Sequence, residues 1–407
     1  MQFTNLSVDP DGRPLMYKWI IDSQEASQEK DYSEKLSAGE HQVRLEVSDN
    51  LYTDAFVKGI TVDQANLGGY PKRKLGIPIK GINYNIGFHN DTSWDSTLEK
   101  RVDASPPPCE EEMDEMLDLM TNELGCNAVR IYGSHEDKIL AFAEKCLARN
   151  MKAVLLNPNY TTLNIDIDEH ARRVVEFAKK AEQLSRPSSL VLMVGNELTI
   201  DVAGIIPGTT RADRIKYEND ASSSELEKFS QELNRHLKEI VANVKQHFTG
   251  PVTYAGGGAW ESVDWNALGC DVVGSNDYYG MKMDREYFVR RVSKLKGYGK
   301  PVFITEFGAS TYAGAYFWGG EGAQKYTDQR YDETEQSRLI MTDIEIFESI
   351  KVDAIFLYEL LGKLKAPEQS FGILTYRLFG LKEDEIVPHG RKDAFYRYKT
   401  YVPTSRP

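Results

Sequence analysis

The sequence predicts an α/β protein, namely a (β/α)8 or TIM barrel with a small N-terminal immunoglobulin-like β-sandwich module. Eight short apolar segments between residues 79 and 358 alternate with segments that carry helical patterns and caps. Residues 1–65 show period-two alternation and turn signals instead. The 407 residues are enough for a barrel of about 250–320 residues and one accessory module.

The N-terminal module is predicted from three strand-like segments and a turn. Residues 43–49 and 55–62 alternate between apolar and polar side chains, which is typical of half-buried strands. Residues 15–21 form a third, largely apolar segment, and residues 9–12 have the turn-forming sequence DPDG. We assign residues 1–65 to this module, although a sandwich of that length is marginally stable alone.

The barrel is predicted to span residues 79–407, after a linker at residues 66–78. Helix starts are indicated at Ser134, at Ser224 with its capping box, and at Thr334. Because the active site of such a barrel lies at the carboxyl ends of its strands, the residues that end each strand are the candidates for function. The eight predicted strands are residues 79–84, 128–132, 152–156, 190–194, 252–255, 272–275, 302–305 and 354–358.

Composition excludes several classes of function. The net charge is −13 and basic residues form no block, which argues against a nucleic-acid partner. No run of 18 apolar residues predicts a transmembrane segment. The four cysteines show no metal-binding spacing, so we expect no metal and no cofactor, and a disulfide such as Cys109 with Cys146 stays open.

Two predicted strands end in a glutamate. Residues 191–197 read VLMVGNE and residues 302–308 read VFITEFG, which place Glu197 after the fourth strand and Glu306 after the seventh. A carboxyl group at the end of a buried strand is costly unless it is paired or functional. Two glutamates across a barrel mouth are what a retaining glycosidase needs, with Glu197 as acid/base and Glu306 as nucleophile.

Three further strand ends support this pair. Asn196 is placed to bind the 2-hydroxyl of a sugar, a contact that strengthens in the transition state. Arg130, at the end of the second strand, can give charge-assisted hydrogen bonds to Glu306. Tyr278, after the sixth strand, can give that carboxylate a hydroxyl bond. We therefore predict an oligo- or polysaccharide as the substrate.

This set of strand ends resembles clan A of the glycoside hydrolases over residues 79–371. Finer motifs are similar to those of the fungal cell-wall β-1,3-glucanosyltransferases. That resemblance implies a β-1,3-glucan substrate, transfer as well as hydrolysis, and a sugar surrounded by Tyr84, Tyr278 and Tyr358. The motifs are NAVRIY at 127–132, GNE at 195–197, NDY at 276–278, YGKPVFITEFG at 298–308, YE at 358–359 and FGI at 371–373.

The N-terminal module resembles a polycystic-kidney-disease repeat that lacks its first strand. The similarity rests on the DPDG turn, on Tyr17 and Trp19 in one strand, and on the VRLEVSD segment at residues 43–49. We therefore expect the chain to be part of a longer protein. We also expect an extracellular, periplasmic or cell-surface location, with the export signal outside this sequence.

Four further residues and one segment are secondary candidates because of their positions. Trp260, just after the fifth strand, is a candidate platform for a sugar ring, and Glu261 beside it is either a hydroxyl-binding group or a solvated loop carboxylate. Glu359, on the eighth strand, is the rival carboxylate and is predicted either to bind substrate or to support the residues that do. Asp277, in the NDY motif, is predicted to bind substrate. The aromatic, glycine-rich segment 314–320 is either a mobile lid or local core.

Two alternatives remain open at the level of sequence. The first is another endo-acting clan A enzyme of the mannanase, cellulase or β-galactosidase type, because subsite loops decide specificity. The second, ranked lower, is a non-catalytic carbohydrate-binding surface protein. Its signature would be the loss of one catalytic carboxylate, and both are present here.

Overall fold

The computed structural model describes most of the chain as two compact units, Met1–Pro71 and Lys72–Pro407. The predicted DPDG turn and Trp260 lie outside the described residues. The residues that are not described are 1, 4, 6, 8–12, 23, 35–38, 50–52, 63–69, 96–99, 104, 185–187, 258–260, 320–329, 363–369, 375–390 and 404–407.

The first unit contains a small antiparallel β module. Its four-stranded sheet has the order Gln24–Ser27, Met16–Ile21, Gly39–Ser48 and Thr53–Val62, and it contains the three strands predicted from alternation. A two-stranded ribbon pairs Gln2–Phe3 with Tyr32–Ser33. Inward side chains form a small core, as expected when one face of a sheet is buried. That core consists of Trp19, Ile21, Val43 and Leu45.

The second unit is built around eight parallel strands, which confirms the predicted barrel. The first strand pairs with both the second and the eighth, and the remaining strands pair with their neighbours in chain order. A single parallel bridge between Gly256 and Ser275 joins the fifth strand to the sixth and closes the ring. The strands are Ile79–Asn85, Ala128–Gly133, Ala153–Pro158, Leu190–Asn196, Val252–Ala255, Val273–Asn276, Val302–Phe307 and Ala354–Leu357.

Helices surround most of the barrel. Residues 261–272, before the sixth strand, form turns and no helix, contrary to the expected alternation. The helices are Glu110–Asp118, which continues as a π-helix over Leu119–Glu123, then Glu136–Ala148, Ile167–Ala181, Leu198–Asp201, Arg211–Asp220, Ser223–Val244, Arg285–Lys294, Ala315–Trp318, Glu333–Ile350 and Asp393–Thr400, with short 3₁₀ helices at Thr161–Leu163 and Leu295–Tyr298. Two short ribbons pair Thr92–Asp95 with Lys100–Asp103, and Arg73–Leu75 with Tyr401–Pro403.

Two helices begin slightly earlier than predicted. Ser222, not Ser224, caps its helix, because Ser222 has the extended backbone of a cap and its hydroxyl accepts from the Glu225 amide. The helix predicted to start at Thr334 starts at Glu333, and Asp332 caps it by accepting from the amides of Thr334 and Glu335. All four cysteines are free thiols, so the disulfide that the sequence left open does not form in this structure.

Apolar residues fill the barrel interior below its carboxyl end. They alternate along each strand with residues that pack outward on the helices, as the period of two requires. Toward the carboxyl ends the inward positions become polar, beginning with Asn83, Arg130 and Thr305. The interior apolar cluster consists of Ala128, Ala153, Leu155, Val191, Met193, Ala255, Val272, Phe303, Ala354 and Phe356.

Candidate active site

Arg130 lies at the centre of the polar layer at the carboxyl end of the barrel. It follows the inward-facing Ala128 by two residues, so its side chain points into the barrel, and it is only 1% exposed. Its Nη1 donates to Asn83 Oδ1 at 2.8 Å and forms an ion pair with Glu306. Its Nη2 donates to Asn196 Oδ1 at 2.8 Å. One guanidinium thus joins the first, second, fourth and seventh strands.

Glu306 lies near the end of the seventh strand, and each oxygen of its buried carboxylate has a hydrogen-bonding partner. Its Oε1 pairs with Arg130, and its Oε2 accepts a hydrogen bond of 2.7 Å from the Tyr278 hydroxyl. A register shift between Ile304 and Phe307 interrupts the regular pairing of this strand with the eighth. Such an irregularity re-aims side chains at the rim of a barrel. Here it lets Thr305 and Glu306 both make contacts inside the barrel.

Glu197 has a different environment. Its backbone is left-handed, with φ of 40° and ψ of 50°, and its side chain is 8% exposed. Oε1 accepts from Asn276 Nδ2 at 3.0 Å, and Oε2 lies 3.8 Å from Nη2 of the half-exposed Arg211. Burial, and then the negative charges of Glu306 and Asp201, raise the pKa of Glu197 well above the usual glutamate value.

Two asparagines connect the carboxyl groups. Asn276 Nδ2 donates to Asn196 Oδ1 at 3.0 Å as well as to Glu197. Asn196 Nδ2 in turn donates to Asp201 Oδ2 at 3.3 Å. Asp201 also accepts from Arg211 Nε at 2.8 Å. A continuous hydrogen-bonded network therefore runs from Arg211 at the rim to Glu306.

Aromatic side chains lie beside Glu306. The rings of Tyr278 and Phe371 have centroids 5.8 Å apart, those of Phe371 and Tyr358 are 5.5 Å apart, and those of Tyr358 and Tyr132 are 5.9 Å apart. Tyr132 donates its hydroxyl to Glu359, which is buried. Aromatic faces of this kind suit the apolar faces of sugar rings. We call Tyr278, Phe371, Tyr358 and Tyr132 the aromatic wall.

The structure joins Tyr278, Glu306, Arg130 and Asn196 in one chain of hydrogen bonds, and Asn276 links Glu197 to that chain. Tyr358 and Glu359 join them through the aromatic wall. Except for Asn276, these are the strand-end residues that the sequence analysis selected.

Two predicted sugar-binding residues lie elsewhere. Tyr84 alternates with the inward Asn83, so it faces outward, where its ring packs 4.8 Å from that of Phe142 in a surrounding helix. Asp277 is buried in an ion pair of 2.8 Å with Arg291 of another outer helix. Both predictions of sugar contact are therefore corrected, because the period of two turns these side chains away from the barrel interior.

The segment predicted to be either a mobile lid or local core is described over residues 314–319, where Ala315 is buried, Phe317 is 48% exposed and Trp318 is 37% exposed. Its role as a lid stays a prediction. Tyr312, just before it, is also buried. Backbone hydrogen bonds of 3.0 and 2.8 Å from Met281 and Lys282 tie this segment to the loop after the sixth strand. Local packing and exposed aromatic surface therefore coexist over residues 312–318.

Several residues of the network were not selected from the sequence. Asn276 had a usable signal, because it precedes Tyr278 by two residues in the NDY motif. Asn83 had one as well, since it is a polar residue inside an apolar strand. Asp201 and Arg211 lie on loops and helices beyond the fourth strand, and no local pattern marks them.

Among the described residues, no group of three or more histidine, cysteine, aspartate or glutamate side chains has a geometry that suits a metal ion. In the same part of the chain, every helix is too short or too polar to cross a membrane.

Solved structures share this barrel. Two structures of a GH113 β-1,4-mannanase align with TM-scores of 0.51 and 17% identity, over 81% and 80% of this chain and 99% and 98% of theirs. A calcium-binding mutant of Bacteroides uniformis β-glucuronidase 2 aligns with a TM-score of 0.50 and 13% identity, over 95% of this chain but 45% of that one. At these identities the likeness shows the fold. No protein-family model matches the sequence, and no curated protein matches it.

Proposed function

We propose that this protein is a retaining carbohydrate-active enzyme that cleaves or transfers β-linked glycans by double displacement. The observation that carries the proposal is the contrast between two buried carboxyl groups in one network. Glu306 lies against a guanidinium and a phenol hydroxyl, whereas burial and neighbouring carboxylates raise the pKa of Glu197. The cation beside Glu306 suits a nucleophilic carboxylate, and the raised pKa of Glu197 suits a proton donor.

In the first step, Glu197 gives its proton to the glycosidic oxygen while Glu306 attacks the anomeric carbon. The bond to the leaving sugar breaks, and a covalent glycosyl ester forms on Glu306. Arg130 and Tyr278 hold both oxygens of Glu306, so the attacking group is positioned before substrate arrives. Asn196 directs one N–H to Asp201 and keeps the other for the sugar 2-hydroxyl.

In the second step, the deprotonated Glu197 takes a proton from an acceptor hydroxyl. The acceptor oxygen attacks the anomeric carbon and releases Glu306 as a carboxylate. Water as acceptor gives hydrolysis, and a second sugar gives transfer. Both outcomes use the same residues, so the site geometry is compatible with either.

Two substrate classes are supported by different observations. The strand-end motifs resemble those of β-1,3-glucanosyltransferases, which favours β-1,3-glucan. The structures that share the fold include a β-1,4-mannanase, which makes β-1,4-mannan an equal candidate. Three members of the aromatic wall, Tyr278, Phe371 and Tyr358, are partly exposed and offer ring surface to either backbone, because every pyranose has an apolar face.

The test is to incubate the protein with reduced and unreduced laminari-, manno-, cello- and galacto-oligosaccharides and to follow chain lengths by mass spectrometry. We expect one of these β-linked series to be shortened, or shortened and extended. Glu306→Ala should abolish turnover, with a loss of about 10⁴-fold or more. If no series changes, or if Glu306→Ala keeps wild-type turnover, the proposal is wrong.

The stereochemistry of the reaction is tested with Glu197→Ala and azide. Azide needs no general base, so it should attack the glycosyl ester and yield a β-glycosyl azide from a donor with an activated leaving group. An α-glycosyl azide would contradict the retaining mechanism while leaving the assignment of a glycosidase intact.

A further inference from the structure

Glu261 lies in the loop after the fifth strand but is 7% exposed, so it is not a solvated loop carboxylate. Its Oε1 accepts from the Thr199 amide at 3.1 Å and from the Thr199 hydroxyl at 2.8 Å. Its Oε2 accepts from the Gly257 amide at 2.8 Å and from the Tyr254 hydroxyl at 2.8 Å. Four donor groups thus converge on one buried carboxyl group.

These contacts surround the turn that follows Glu197. The Leu198 amide donates to the Tyr254 hydroxyl at 2.8 Å, so Tyr254 and Glu261 together bind both amides that come directly after Glu197. The Glu197 amide itself donates to the Ala255 carbonyl at 3.0 Å. Three consecutive amides of the turn are therefore held by the fifth strand and its loop.

The turn needs such support because Glu197 has a positive φ of 40°. A residue with a side chain is strained in this sparsely populated backbone region, and it stays there only when its surroundings impose that conformation. Gly195 allows Leu198 to pack closely against the backbone of the fourth strand, because a Cβ at position 195 would lie only 2.7 Å from Leu198 Cδ1. A relaxed turn would move the Glu197 carboxyl group away from Asn276.

We propose that Glu261 is a positioning residue for the acid/base step: it holds the turn after Glu197 in its left-handed conformation and so keeps the Glu197 carboxyl group on Asn276. This inference rests on the proposed function for its kinetic consequence. Its structural consequence does not depend on that function. Glu261 touches no sugar in this role and acts only through the backbone and Tyr254.

The kinetic test compares two leaving groups on the glycan that the wild type cleaves. Proton donation matters for an alkyl or sugar leaving group and hardly at all for 2,4-dinitrophenolate. In Glu261→Gln an NH2 group replaces one carboxylate oxygen. It faces hydrogen-bond donors and cannot accept from them. We expect kcat/KM to fall about 10–100-fold on the unactivated glycoside and less than about 3-fold on the dinitrophenyl glycoside.

Two further variants test whether the hydrogen bonds of Glu261 cause the selective loss of activity. Tyr254→Phe removes the hydroxyl that links the Leu198 amide to Glu261 and should show the same selective loss. Glu218→Gln is the control, because Glu218 reaches only the Thr199 hydroxyl, at 3.4 Å, and no amide of the turn. Its leaving-group dependence should equal that of the wild type. Equal losses on both substrates in Glu261→Gln would overturn the inference.

A crystal structure of Glu261→Gln separates this inference from the proposed function. We expect Glu197 to leave the left-handed region and to lose its contact with Asn276. An unmoved turn would overturn the inference whatever the activity. If Glu197→Ala loses activity equally on both leaving groups, the acid role in the proposed function is wrong, and the conformation of the turn in Glu261→Gln still decides the positioning role.

Discussion

At the scale of single residues, Asn276 determines which groups of the network donate hydrogen bonds and which accept them. Its Oδ1 accepts from the Thr305 hydroxyl at 2.8 Å, so its Nδ2 faces the fourth strand and donates to both Asn196 and Glu197. Asn196 Oδ1 receives Arg130 and Asn276, which turns its own Nδ2 toward Asp201. Each amide therefore has one orientation that satisfies all its partners. The buried Arg130 therefore donates to Glu306, whereas the hydrogen bond to Glu197 comes from a neutral amide and the half-exposed Arg211 lies 3.8 Å away.

The raised pKa of Glu197 predicts that this residue lowers stability at neutral pH. The folded-state pKa lies above the unfolded value near 4.5, so the folded state binds more protons between the two values. Stability therefore falls as pH rises through that window. Glu197→Gln cannot ionise and should raise the melting temperature by about 2–4 °C at pH 7, with little gain at pH 4.

Thermal unfolding across pH 4–8 checks this prediction. The exposed Glu115→Gln is the matched control and should leave the melting temperature unchanged at every pH. A gain in Glu197→Gln that does not depend on pH would contradict ionisation of Glu197 as its cause.

At the scale of elements, Lys80 ties the first barrel strand to the end of the chain. It faces outward between Ile79 and Gly81, and its Nζ donates to the carbonyl oxygens of Leu124, Tyr398 and Tyr401 at 2.5, 2.7 and 2.8 Å. An ammonium group has three donors, and all three are used. Burial lowers the pKa of Lys80 to about 8, so the group is still charged at pH 7.

Removing this ammonium group should destabilise the barrel. Lys80→Met removes one donor from each of three carbonyl groups, of which that of Tyr398 keeps the Tyr401 amide, and we expect the free energy of unfolding at pH 7 to fall by about 2–4 kcal/mol. Urea unfolding measures the change. The exposed Lys152→Met, just before the third strand, is the control and should change stability by less than about 0.5 kcal/mol. An equal effect in both variants would show that the three hydrogen bonds add nothing.

At the scale of the whole molecule, every residue of the proposed mechanism belongs to the unit Lys72–Pro407. The N-terminal unit has its own sheet and its own small core. The immunoglobulin-like and polycystic-kidney-disease character of that unit stays a prediction, as does a location outside the cytoplasm.

A chain that begins at Lys72 should keep the activity. On short oligosaccharides we expect kcat/KM within about twofold of the full chain, because the charges and contacts of the site are all retained. Steady-state kinetics, with circular dichroism as a check of folding, make the measurement. A loss of more than about tenfold in a folded, shortened chain would show that residues 1–71 contribute to the site.

The sequence by itself determined the barrel and the identity of its strand ends. Buried parallel strands are short apolar runs, and this local pattern placed Glu197, Glu306 and Arg130 at the correct ends. It also set them in the chain order that the barrel needs, so the central part of the network was predictable.

Only the tertiary structure decided which neighbouring side chains enter the site. Irregular pairing at the end of the seventh strand disturbs the period of two there, so Thr305 and the adjacent Glu306 both make contacts inside the barrel. The partners of Glu261 and Lys80 lie up to 62 and 321 residues away in the chain. A local sequence pattern indicates whether a segment is buried. The partners of a buried polar group come from distant segments, and these partners determine its charge and its role.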